Sequence, residues 1–176
     1  MQKRPARVVV AMGVSGSGKS TLGEALRDGY GFRYIDADDL HPPANVAKMR
    51  AGTPLTDEDR APWLASLAAL LASGAARGED TVMACSALKA RYRDILSGSG
   101  AAVLFAYLAI ERETVTRRVG ARPDHYMPAS LVDSQFAALE APQPGPDVLW
   151  LDASRPADEL CRLVVERLDE RMAVAS

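Results

Sequence analysis

Gly13-Val14-Ser15-Gly16-Ser17-Gly18-Lys19-Ser20, followed by Thr21, matches the pattern GxxxxGK[ST] residue for residue. It stands directly after the apolar run Val-Val-Val-Ala-Met at 8–12 and ahead of a helical pattern that begins at 19. A strand, a glycine-rich turn and a helix in that order make a phosphate loop. Side chains at Gly13, Gly16 or Gly18 would obstruct backbone N–H groups turning inward around polyphosphate. Lys19 then reaches the β and γ phosphates, and the Ser20 hydroxyl can ligate Mg²⁺. The helix beginning near Lys19 offers free N–H groups and the positive end of its dipole to the same anion. The chain is therefore expected to bind a nucleoside triphosphate, with residues 13–21 as the cradle.

Outward from this loop, short apolar runs alternate with longer helical patterns, which is the signature of a parallel α/β sheet. Strands are expected at 7–12, 33–36, 81–85, 103–108 and 148–151, mostly without polar alternation, as when helices cover both sheet faces. Helices are expected at 19–27, 43–51, 60–76, 88–96, 112–119, 129–139 and 157–172. Asp59 is read as the cap of the third, which puts Pro62 in its first turn. Pro128 and Pro156 mark helix starts, the latter with Ser154 as cap. Leu160, Leu163, Val164 and Leu168 form one apolar stripe, read as core. The result is a three-layer α/β/α arrangement around a five-stranded parallel sheet, in one domain over 1–176.

The 176 residues are 48% hydrophobic and 25% charged with a net charge of −2, which gives no basic field for nucleic acid. The longest apolar runs, such as 103–110, are too short to span a bilayer, and the N-terminus leads into a strand rather than a signal peptide. No membrane partner and a cytoplasmic location are expected. Cys85 and Cys161 lack metal-ligand spacing and read as buried thiols.

After the second strand comes Asp36-Ala37-Asp38-Asp39-Leu40-His41-Pro42. In an extended segment side chains alternate, so Asp36 and Asp38 are expected on one side, facing the crevice beside the phosphate loop. Asp36 is assigned to Mg²⁺ and its hydration shell, and Asp38 to the proton of an attacking hydroxyl. His41 and His125 both fall in irregular segments and are candidate contacts for a hydroxyl-rich or anionic ligand. Among the arginines at 112, 117, 118 and 122, Arg118 and Arg122 are candidates to close over the nucleotide, with Arg122 neutralising charge on the transferred phosphoryl group. Lys48, Arg60, Lys89 and Arg93 are further cations near strand ends that can bind a substrate carboxylate.

Four blocks together resemble the small phosphate-loop gluconokinase family: MGVSGSGKST (12–21), DADDLHPPANVAKMRAGTPLTDEDRAPWL (36–64), CSALKARYRDIL (85–96) and HYMPASLVDSQFAALEAP (125–142). The second block carries most of the discrimination, and the SQFxxLExP segment reinforces it. The resemblance implies a P-loop kinase fold similar to shikimate and nucleoside monophosphate kinases, with a mobile lid over about 117–130. It implies ATP- and Mg²⁺-dependent phosphorylation of gluconate at its terminal hydroxyl to 6-phosphogluconate. Lys19 and Ser20 then meet phosphate and Mg²⁺, Asp38 the acceptor hydroxyl, and His41, Arg60 and His125 the sugar acid. Gln135 of the SQF segment joins the substrate contacts. Family members are often dimeric, which leaves a homodimer open. Two departures are Ala37, where glycine is more usual, and Pro123-Asp124 ahead of His125, where a basic residue and glycine are more usual.

Two other readings compete. A related kinase acting on shikimate, a nucleotide or a polyol shares the fold, which does not fix the acceptor. A non-enzymatic nucleotide-binding switch is opposed by the absence of a guanine-specifying NKxD sequence.

Overall fold

The computed structural model describes residues 4–121 and 129–175. Its strands are β1 (Val8–Met12), β2 (Arg33–Asp36), β3 (Thr81–Ala84), β4 (Val103–Ala109) and β5 (Val148–Asp152). They pair in parallel in the order β2-β3-β1-β4-β5. Val8 of β1 stands opposite Thr81 on one side and Val103 on the other, which places the phosphate loop over the centre of the sheet. The helices are α1 (Lys19–Tyr30), α2 (Pro43–Arg50), α3 (Asp57–Arg77), α4 (Ala90–Ser97), α5 (Arg112–Gly120), α6 (Ala129–Ala138) and α7 (Ala157–Val174). Each expected strand and helix is present, with ends shifted by up to three residues. Pro128 lies outside the described residues.

Alternate side chains of the central strands feed two cores. Val8, Val10 and Met12 join Leu64, Leu67 and Leu71 of α3 and Leu96 of α4 on one face. Val9 and Ala11 join Leu22 and Leu26 of α1 with Leu160, Val164 and Leu168 of α7 on the other, so the apolar stripe of α7 is core. A third, smaller cluster takes Val14 from the phosphate loop, Leu88, Val115 from α5 and Val132 from α6. Cys85 and Cys161 are buried free thiols, and burial pushes Cys85 up to about 12. Among the described residues no helix is long and apolar enough to cross a membrane.

Gly23 lies in the middle of α1, where glycine costs about 1 kcal/mol against alanine. A Cβ there would stand 2.4 Å from Cε2 of Tyr34, so the ring of β2 packs directly on the helix backbone. Gly23→Ala is expected to lose about 1–2 kcal/mol net, because overpacking outweighs the propensity gained. Urea denaturation measures it, and a more stable variant would contradict the packing argument.

Three capping expectations are corrected. α3 begins at Asp57 with Thr56 as its cap, the Thr56 hydroxyl accepting from Asp59 N at 3.1 Å and Asp59 Oδ2 accepting from Thr56 N at 2.9 Å. Asp59 is thus the returning half of a capping box rather than the cap. Pro62 consequently lies inside α3, beyond the first turn, and removes the bond that Glu58 would otherwise receive. At α7 the cap position belongs to Pro156, while Ser154 turns back to Asp152, its hydroxyl donating at 2.6 Å.

Hydrogen bonds from Lys48 first, and from the Thr56 backbone, hold the Asp59 carboxyl down at about 2. This folded value is below the unfolded value of about 3.9, so the stabilisation is complete above pH ~4 and is lost as pH falls toward 2. Asp59→Asn is expected to flatten the fall of Tm between pH 4 and 2, and parallel curves for variant and parent would contradict it.

Candidate active site

The phosphate loop closes because its glycines take backbone angles that other residues avoid. Gly16 has φ 82°, and a Cβ there would press on Val119 Cγ2 of α5 at 3.2 Å. A Cβ at Gly13 would stand 2.8 Å from Ser17 Oγ. With both absent, the loop folds tightly at the N-terminus of α1, where free N–H groups and the helix dipole favour an anion. Lys19 Nζ donates to the carbonyls of Gly13 and Val14, each at 3.0 Å, so its ammonium is held over the cradle. Burial lowers the pKa of Lys19, while the charge of Asp38, then Cys85 and Asp36, works in the opposite direction. The lysine and both carboxylates therefore share one electrostatic neighbourhood.

The route by which Asp36 and Asp38 reach it differs from strand alternation. β2 ends at Asp36, and a 3-10 turn covers Ala37–Leu40. Asp36 Oδ1 accepts the Asp38 N–H at 3.0 Å, so the first carboxylate caps the turn that carries the second. Burial raises the pKa of Asp36, and that N–H bond opposes the shift. The turn is pinned from α3, where Trp63 Nε1 donates to the Ala37 carbonyl at 2.8 Å.

Ser20 is exposed in the first turn of α1. One hydroxyl and one carboxylate, Ser20 and Asp36, make a spare oxygen donor set. Among the described residues no group of three or more His, Cys, Asp or Glu side chains is placed to hold an ion. The oxygen donors Ser20 and Asp36 are of the kind that Mg²⁺ takes from a protein when waters and phosphate oxygens supply most of its ligands.

His41 follows the 3-10 turn and stacks on Trp63, with ring centroids 4.1 Å apart and 16° between planes. Burial lowers its pKa, Asp38 opposes and Arg60 assists, which brings Asp38, His41 and Arg60 into one group. Arg60 Nη1 donates to the Leu55 carbonyl at 2.6 Å. Its guanidinium and the Lys89 ammonium lie 5.8 and 5.7 Å from the Tyr92 ring centroid, and the Arg91 guanidinium lies 5.8 Å from it, so three cations surround one aromatic ring. Asp57 partners Lys89 at 3.5 Å and also engages Arg91 and the Tyr92 hydroxyl. Lys48 is placed otherwise: Asp59 takes its ammonium at 2.8 and 2.9 Å, which commits the charge to the start of α3.

The nucleotide side is joined across the sheet. Arg118 of α5 donates to the Ala153 carbonyl at 2.8 Å and reaches the Gly16 carbonyl at 3.5 Å, bridging the loop to the end of β5. Beside that bridge a cavity of about 710 Å³ is lined by Glu111, Thr114, Asp152, Ser154 and Trp150. Gln135 of α6 does not join the His41 group. Its Oε1 accepts from Ser15 N at 3.2 Å and Ser15 Oγ at 3.4 Å, so it meets the phosphate loop. Arg122 and His125 lie outside the described residues, as do residues 122–128 of the expected lid.

One residue of consequence escaped sequence reasoning, and another is placed otherwise than its neighbours in the sequence suggested. Asn45, buried in α2, donates to the Asp59 carbonyl and contacts His41, and only its place in the LHPxxN block hinted at it. Arg93, grouped in the sequence with the substrate cations, is buried and donates to the carbonyls of Ala87, Leu88 and Glu140 at 2.8, 3.1 and 2.7 Å.

Residues 8–142 match the family described as an AAA domain. The chain is 38% identical over 179 residues to a probable gluconokinase of Rattus norvegicus, covering 92% of this chain and 97% of that one. It is 41% identical over 152 residues to a gluconokinase of Gluconobacter oxydans, covering 86% and 85%. The crystal structure of a gluconokinase from Sinorhizobium meliloti 1021 superposes with a TM-score of 0.84 at 39% identity, over 99% of this chain and 97% of that one. With its phosphate loop, paired carboxylates and flanking cations arranged on this sheet, the chain belongs to the gluconokinase family.

Proposed function

We propose that the protein transfers the γ-phosphoryl group of ATP to the terminal hydroxyl of D-gluconate, giving 6-phospho-D-gluconate and ADP. The observation that carries this reading is the grouping of Asp38, His41 and Arg60 beside Lys19, with Arg60 and Lys89 both against the Tyr92 ring. The loop amides and Lys19 bind the β and γ phosphates. Ser20 and Asp36 would hold Mg²⁺, which when bound neutralises charge on the phosphate oxygens. Asp38 takes the proton of the acceptor hydroxyl while that oxygen bonds to phosphorus and the bond to the bridging oxygen of ADP breaks. Arg60 and Lys89 meet the carboxylate and His41 the hydroxyl chain. Arg118 belongs to the nucleotide, and Arg122 and His125 retain the lid and sugar-acid roles.

The test is ADP release with Mg-ATP against gluconate, other sugar acids, shikimate, glycerate and nucleoside monophosphates. Release that depends on gluconate is the expected outcome. Turnover with another acceptor alone would keep the kinase and void the roles of His41, Arg60 and His125.

A further inference from the structure

The amide nitrogen of Asn45 faces two acceptors, the Asp59 carbonyl at 3.0 Å and His41 Nδ1 at 3.3 Å. A carbonyl can only accept, which fixes the end of the amide that points there, and the second hydrogen of the same group then falls to the imidazole. For Nδ1 to accept it must be bare, so the neutral ring carries its proton on Nε2. Asn45 is 4% exposed, so water does not set this orientation. The Trp63 indole holds the ring from its face and is itself tied to the Ala37 carbonyl. Nε2 stands on the side of the ring away from Asn45.

We infer that Asn45 and Trp63 are positioning residues that keep His41 as a neutral Nε2–H donor, so that it selects the acceptor through a hydroxyl oxygen and leaves the carboxylate to Arg60 and Lys89. Protonating Nδ1 would set a donor against the amide donor, so the contact disfavours imidazolium. Burial acts in the same direction. Of the charged groups facing the ring, Arg60 on α3 assists and Asp38 on the 3-10 turn opposes; Lys48 on α2 is engaged with Asp59. The assignment of the hydroxyl rests on the sugar-acid reading, whereas the state of the ring does not.

The experiment is ¹⁵N–¹H NMR of the histidine side chains in full-length protein without ligand, with His41→Gln used to assign the signals. Wild type is expected to hold an almost pure Nε2–H ring that titrates below about 6.5. Asn45→Asp keeps the side-chain shape but offers only acceptors, so the proton should move to Nδ1 and the midpoint should rise by more than one pH unit. At pH 8 the same variant should raise the gluconate KM about tenfold with kcat and the ATP KM nearly unchanged, the loss expected for one hydrogen bond in the acceptor site. A wild-type ring that is mixed, Nδ1-protonated or charged at pH 7, or a ring unmoved by Asn45→Asp, overturns the inference. Equal losses in both KM values overturn it as well. Absence of gluconate turnover in wild type would remove the substrate reading while leaving the NMR result to stand by itself.

Discussion

Asp38→Asn is expected to lower kcat by about 10² to 10⁴ while leaving ATP affinity within a few fold of wild type, the range a positioned general base supplies. The substitution is close to isosteric and keeps the N–H by which residue 38 binds Asp36, so the 3-10 turn survives. What disappears is a group able to take the proton from the attacking hydroxyl, and with it one negative charge facing Lys19. Loss of that charge lets burial act on Lys19 with less opposition, which lowers the lysine pKa further and moves the alkaline limb of the rate profile toward lower pH. Single-turnover kinetics at saturating ATP and gluconate separates the proton-transfer defect from binding. Turnover near that of wild type would sink the assignment of Asp38, and a loss confined to the ATP KM would move it to phosphate binding.

Arg93→Met is expected to destabilise the fold by about 2–4 kcal/mol, as when the charged donor of a cluster of buried carbonyls is removed. Methionine preserves much of the apolar stem, so the loss isolates the guanidinium. The Ala87 carbonyl and the half-buried Glu140 carbonyl would lose this donor, at about 1–3 kcal/mol each before relaxation, while the Leu88 carbonyl keeps the Glu140 N–H at 2.8 Å. Among the described residues Ala87 is the one non-glycine position with positive φ, at 44°. Such a conformation persists only where the surroundings impose it. The turn runs directly into Lys89, so its relaxation should also raise the gluconate KM at temperatures where the variant is fully folded. Arg93→Lys should recover little, because an ammonium lacks the fork that spans two carbonyls of one turn and a third two residues beyond α6. Urea denaturation gives the stability change, and a loss below about 1 kcal/mol would mean that water replaces the guanidinium.

Most of the fold was legible because its strongest signals are local. Glycine spacing at 13–18 marked the loop, and apolar runs such as 8–12 and 103–108 marked buried strands, each within a residue of its observed ends. The discrepancies arise where a side chain chooses among partners. Thr56 and Asp59 are both competent caps, and their reciprocal bonding moved the start of α3 and put Pro62 inside it. Asp36 and Asp38 were read by strand alternation, whereas a carboxylate bonding the N–H two residues on makes a turn. The cations show the limit more sharply. Lys48, Arg60, Lys89 and Arg93 look alike in a sequence, but Lys48 meets Asp59, Arg93 meets three carbonyls, and Arg60 and Lys89 flank Tyr92. Burial and long-range partners separate them, and neither has a local signature. Gly23 is similar, since the ring that excludes a methyl group belongs to another element.

Val14 belongs at once to the loop that surrounds phosphate and to the apolar cluster that seats α5 and α6. Gln135 and Arg118 tie the same two helices to the loop through Ser15 and Gly16. Occupation of the loop is therefore linked to the way α5 and α6 are seated. A ligand on the loop that favours one seating of these helices is in turn favoured by it, and the coupling free energy is the same read from either side.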